Sequence, residues 1–164
     1  MSYSETPQIS NPPTIHTPAP TYSHISSTLI SNTAHFITIA GQVGIHPDGT
    51  IAPDFRSQVS LALDNLSKCL DHAGCTKEQI VQMKLYIVGK PGEREDEEEA
   101  RKELVMGFWG KQMPPPDTLV FVAGLALPEL RFEVEAVAVA KVVDGDVRDI
   151  RRTSERFVHS DVGD

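Results

Sequence analysis

Cysteine is scarce in this chain, with only Cys69 and Cys75 among 164 residues. Two thiols cannot build the disulfide framework of a small secreted domain, and they fall short of a structural zinc site. Basic residues are outnumbered too: 15 Lys and Arg stand against 23 Asp and Glu, a net charge of -8. Phosphate contacts need clustered cations, so nucleic acid is not an expected partner. No apolar run approaches the roughly 20 residues a membrane span requires. The amino terminus lacks a basic region followed by an apolar run, so no signal peptide is expected and the protein reads as soluble and cytoplasmic. A Ser-His-Asp arrangement, a phosphate-cradling Gly loop and a metal cluster are missing as well, so no cofactor or metal is called for.

What is there suffices for one domain with a real hydrophobic core. Residues 1–21 are rich in Pro, Ser and Thr and read as a flexible leader, not a packed element. Ile25 to Ile30 and His35 to Val43 form a strand hairpin around Ser31-Asn32-Thr33, and Asp48-Gly49 marks a tight turn. A helix from Asp54 to Ala73 follows, with Asp54 as N-cap, an apolar stripe (Val59, Ala62, Leu63, Leu66, Cys69, Leu70, Ala73) and Gly74 at its end. Cys69 belongs to that stripe; Cys75 beyond it is read as a partly exposed thiol. Ile80 to Val88 alternates, with Val81, Met83, Leu85 and Ile87 on one side.

Pro91-Gly92 precedes a second helix, roughly Glu93 to Gly110, whose acidic start suits the positive end of the helix dipole. Its run of charges, Glu93 to Glu103, reads as a solvated face, and Leu104, Val105, Phe108 and Trp109 supply its buried side. Three prolines, Pro114 to Pro116, then stop the helix and lead into a closing pair of strands. In the last strand Leu130, Phe132, Val134, Ala136 and Ala138 point one way, and Arg131, Glu133, Glu135, Val137 and Val139 the other. A face that presents two acids and then aliphatics borders a cavity or a subunit interface. The fold class is α+β, ordered β-β-α-β-α-β-β, with two helices on one face of a single sheet. The other face lacks a helix to cover it, so self-association is the natural solution. Residues 142–164 form a charged, weakly periodic tail, read as partly ordered.

Several residues fall into a known order. Ala40-Gly41-Gln42 ends a strand, Asp48-Gly49 turns, and Gln58 and Asp64-Asn65-Leu66 occupy the first helix. Gly74 closes that helix, and Phe132-Glu133-Val134-Glu135-Ala136-Val137-Ala138 comes last. Together they resemble the Rid (YjgF/L-PSP endoribonuclease-like) family over about residues 22–141. The resemblance implies a chorismate-mutase-like fold and a homotrimer around a central β-barrel. It also implies small-molecule pockets between subunits and hydrolysis of imines or enamines such as 2-aminoacrylate. Ribonuclease activity is linked to some relatives but sits badly with the acidic charge.

The family's last-strand acid, which holds or activates water, corresponds to Glu133, and its early aromatic to Tyr22. Its substrate-carboxylate arginine falls on Asp117, and its frequent cysteine on Leu119, so both groups are missing. An aspartate facing a carboxylate has the wrong sign, which argues against ordinary 2-aminoacrylate deamination. Glu133 reads as a general base or as an ion-paired interface acid. Asp117 reads as its acid–base partner or as a cap on the turn after the prolines. Arg131, on the Glu133 face, reads as a substitute cation or as half of a salt bridge. His24 and His35 could reach a pocket but read first as structural. Gly41 either exposes a backbone amide to a ligand or permits a close strand crossing. The functional expectation is a Rid-like trimer acting on a reactive small molecule; the alternative is a non-catalytic, ligand-binding trimer.

Overall fold

Alternation of apolar residues decides the sheet. In the computed structural model, which describes residues 6–31 and 33–141, six strands form one sheet. They are β1 (Gln8–Ser10), β2 (Ile25–Ser31), β3 (Ala34–Val43), β4 (Ile80–Val88), β5 (Asp117–Val122) and β6 (Phe132–Lys141), arranged β1-β2-β3-β6-β4-β5. All neighbours are antiparallel except β4 and β5, which run parallel. Parallel neighbours need a long crossover, and α2 (Glu95–Trp109) supplies it.

The other helix, α1 (Phe55–His72), begins as its sequence signals predict. The Asp54 carboxylate accepts from the Ser57 backbone N–H at 2.9 Å, and Gly74 beyond the last turn has φ 70°. The α1 stripe packs on Ile37, Ile39, Met83, Leu85, Phe132, Val134, Ala136 and Ala138 in one continuous core. Val59 and Leu66 are completely buried there, each stabilising the fold by about 2 kcal/mol. Trp109 joins the same core, and Leu104, Val105 and Phe108 pack against it, so both helices lie on one face of the sheet.

Four expectations need correction. Residues 1–21 are not simply a flexible leader: Gln8–Ser10 pairs with β2, and Ile15 is buried in the main core. The two strands after the triple proline do not pair with each other. β6 inserts between β3 and β4, because its aliphatic face makes it a central strand, and β5 is left at the edge. Val81 is 46% exposed, because a bulge between Ile80 and Gln82 turns Ile80 inward in its place. Cys75 is buried, as Cys69 is, and burial pushes both thiols up to about 12. The expectation for the tail, residues 142–164, lies outside the described residues.

Candidate functional site

The site starts from an irregularity in β3. Ile39 pairs with Ala136 and Gln42 with Val134, so Ala40 and Gly41 together oppose the single residue Glu135. This is a bulge, and it brings the β3 backbone up to the Glu133 side chain. A Cβ on Gly41 would stand 1.7 Å from Glu133 Oε1, so no side chain fits there while Glu133 keeps its position. Gly41 is therefore the floor on which the carboxylate lies.

Glu133 projects from the face of β6 opposite the helices, across from Tyr86 on β4. It is half-buried. Burial first, and the Glu135 charge second, hold its carboxyl above the usual value of 4.5. Glu135 itself pairs with Lys84 at 2.7 Å. The lysine is thereby committed to Glu135, and among the described residues Glu133 makes no ion pair of its own. A carboxylate so placed is suited to take a proton from water or from a substrate carbon or nitrogen.

The leader builds the neighbouring wall. Pro20, Thr21 and Tyr22 face Lys84, Glu135, Thr38 and Ala40 across a broad groove. Burial, and then the Glu133 charge, raise the Tyr22 phenol above its ordinary range, so phenol and carboxylate feel each other. The Tyr22 hydroxyl meets His16 Nε2 at 3.4 Å. The His16 ring stands edge-on to His24 at 4.9 Å, and His24 stands edge-on to Tyr22 at 5.5 Å. His24 is completely buried: its Nε2 bonds the His16 carbonyl at 3.0 Å, and Gln42 Nε2 meets its Nδ1 at 3.2 Å. Burial lowers the pKa of both histidines.

The sequence-predicted residues do not all converge. Glu133 and Gly41 do, and Tyr22 stands on the wall of the neighbouring groove. Asp117 and Leu119 pair in register with Met83 and Leu85, which places both on the helix side of the sheet. Within one chain, Asp117 and Glu133 therefore lie on opposite faces and cannot form a dyad. Arg131 also departs from the expectation that it shares the Glu133 face. Its guanidinium forks onto the Glu97 carboxylate of α2 and lies 5.4 Å from the Phe55 ring centre. The strand begins only at Phe132, so alternation does not govern Arg131, and a carboxylate on the helix side draws it away. One residue of the acidic run, Glu97, thus faces inward. His35 bonds Ser27 at 3.2 Å within the hairpin.

Two motif residues prove to be builders. Gln58 donates to the Ala52 and Glu129 carbonyls and accepts from the Arg131 backbone N–H. Asn65 donates to the Val43 and Ile45 carbonyls. Both amides are buried and tie α1 to the loops flanking β3 and β6. The reading missed His16, which lies in a stretch with no periodicity. Its one sequence signal is an apolar residue, Ile15, beside a histidine in an otherwise polar leader. Among the described residues, no group of His, Cys, Asp and Glu is placed to hold a metal ion, and no helix is long and apolar enough to cross a membrane.

Comparison with known proteins agrees with this architecture. The family model described as Endoribonuclease L-PSP matches residues 14–140. The RutC family protein YjgH of Escherichia coli (strain K12) is 33% identical over 100 residues, covering 61% of this chain and 72% of that protein. The solved structure of protein YJGH superimposes with a TM-score of 0.68 at 28% identity, covering 85% of this chain and 100% of that one. E. coli TdcF, solved with bound serine, shares the fold with a TM-score of 0.64 at 23% identity, covering 80% of this chain and 96% of its own. With sheet, helices and the match over residues 14–140 in agreement, the chain belongs to the endoribonuclease L-PSP family, also known as Rid or YjgF.

Proposed function

We propose that this protein acts on a reactive imine or enamine, or a related small molecule, with Glu133 as the base that holds water or moves the proton. The observation that carries the reading is the seat of Glu133: a half-buried carboxylate of raised pKa, lying against Gly41 and without an ion-pair partner among the described residues. A base whose pKa moves up toward neutrality is better matched to proton transfer at neutral pH. Membership of the family supports a small-molecule role in general, and the TdcF relative binds serine.

The pocket in this reading lies between subunits of a homotrimer. The sheet face away from the helices carries Phe36, paired with Val139, and Thr38, paired with Val137, and no helix among the described residues covers it. A second copy seated there would close the groove and could bring its Asp117 toward the first copy's Glu133. With an aspartate at the position expected for arginine, and Arg131 engaged by Glu97, a substrate carboxylate finds no clamp. The favoured substrate is therefore neutral or cationic at that end, and ordinary 2-aminoacrylate deamination is not the activity. The same observation favours a second reading, a trimer that binds such a ligand without chemistry.

The test compares hydrolysis of freshly generated 2-aminoacrylate with that of iminium compounds lacking a carboxylate, for the wild type and Glu133→Gln. Faster turnover of the carboxylate-free imines, lost in Glu133→Gln, is the expected result. Binding without turnover would select the second reading. Acceleration of 2-aminoacrylate hydrolysis would overturn the argument from Asp117.

A further inference from the structure

The leader does more than cap the sheet edge. It carries His16 to a buried position beside Tyr22 and His24, two residues that line the groove. His16 is 8% exposed and His24 and Gln42 are fully buried, so this polar group is shielded from water. Its hydrogen bonds fix the protonation pattern. Gln42 Nε2 donates to the Ala40 carbonyl at 2.9 Å, which sets the orientation of the amide. The same nitrogen donates to His24 Nδ1, so His24 carries its proton on Nε2 and gives it to the His16 carbonyl. A second proton on His24 would set N–H against N–H, so His24 is held neutral. The His24 backbone N–H, meanwhile, is held by the Asn11 side chain at 2.8 Å, tying the start of the same leader loop.

The chain of contacts therefore runs one way. Gln42, on the bulged strand, orients His24; His24 holds the His16 backbone; and the His16 ring reaches the Tyr22 hydroxyl. Tyr22 has no other side-chain hydrogen bond among the described contacts, and its ring is 41% exposed, so little else fixes it. The charged and titratable groups around it are His16 and His24, with Lys84 and Glu135 lining the same groove and Glu133 acting through its charge. We infer that His16 is a positioning residue of the site: its Nε2 hydrogen-bonds the Tyr22 hydroxyl and so fixes the phenol on the wall of the groove, with His24 and Gln42 fixing His16 in turn. A polar substrate bound in the groove would meet a phenol of fixed position. This inference rests on the reading of Glu133 as the working group.

The decisive experiment reads the contact directly. Tyrosine ionisation is followed by ultraviolet titration, with Tyr22→Phe as the reference that isolates the Tyr22 contribution. His16→Phe is expected to move the Tyr22 midpoint by about half a unit to one unit, the size of one neutral hydrogen bond. His16→Gln, which can place a polar atom where Nε2 stands, is expected to restore most of it. Should His16→Phe fail to fold, the reciprocal measurement uses Tyr22→Phe, a change at a half-exposed ring. Its expected result is a comparable shift in the His16 imidazole titration by NMR. An unmoved Tyr22 midpoint in folded His16→Phe, or an unmoved His16 titration in Tyr22→Phe, would overturn the inference. A moved midpoint with no turnover of any imine would leave this contact standing and defeat only the assignment of catalysis to Glu133.

Discussion

Glu133 and Gly41 form a pair in which each explains the other. The bulge lays β3 against the carboxylate, and only a residue without a Cβ leaves it room. Gly41→Ala is therefore expected to destabilise the fold by about 1–3 kcal/mol, the usual cost of overpacking. In a Glu133→Ala background most of that cost should disappear, and a double-mutant cycle by urea unfolding measures the difference. Equal costs in the two backgrounds would count against the contact. Glu133→Gln gives a second prediction at the same residue. A carboxyl with a raised pKa binds its proton more readily when folded, so its favourable contribution is present in acid and is lost as pH rises above 4.5. At neutral pH the charged, half-buried group is a burden. The Gln variant should melt higher than wild type at pH 7, with the gap closing toward pH 4 and below.

At the scale of elements, α1 is the organiser, and its buried amides do as much as its apolar stripe. Asn65→Ala would leave the Val43 and Ile45 carbonyls without their side-chain donor. Chemical denaturation should show a loss of about 1–3 kcal/mol, the cost of leaving the Ile45 carbonyl unsatisfied, since the Val43 carbonyl keeps the Ile45 backbone N–H. How far each element was legible follows from the physics that shapes it. The limits of α1 could be read from Asp54, the stripe and Gly74, because local capping and 3.6-residue periodicity are written into neighbouring residues. The two faces of β6 could be read the same way, from strict alternation. Strand adjacency could not. Nothing local to Asp117 or Phe132 says that β4 will lie between their strands, because that choice is made by the long crossover through α2. Arg131 was misplaced for a related reason: its direction is set by Glu97, far along the chain. The leader was misjudged because its order comes from burying Ile15 and satisfying His24, and neither leaves a periodic trace. Of the candidate site, the parts on regular strands were legible; the polar cluster contributed by the leader was not.

At the scale of the whole molecule, the exposed sheet face and the lowered histidines carry separate predictions. In the trimer reading, Phe36 packs into the interface, so wild type should scatter light as about three copies of an 18.0 kDa chain. Phe36→Glu should give a species of single-chain mass, because a buried unpaired charge opposes association. A single-chain mass for wild type would remove the intersubunit pocket altogether. His16 and His24 predict the acid response. Burial lowers both pKa values below 6.5, so the folded state holds fewer protons than the unfolded chain as pH falls through that value. Stability present above 6.5 should be lost progressively below it, and a His16→Gln/His24→Gln variant should show a flatter melting profile between pH 7 and 5.

The position of β6 has a consequence for biosynthesis. It is the last strand among the described residues and yet a central one in the sheet, joining β3 on one side to β4 on the other. Until Phe132–Lys141 has left the ribosome, the β1-β2-β3 ribbon and the β4-β5 pair share no ladder of hydrogen bonds. The nascent polypeptide must carry two unfinished half-sheets, each with an open edge, until β6 arrives between them. Glu133 comes with that strand, so the chain acquires its sheet and its candidate site in the same step.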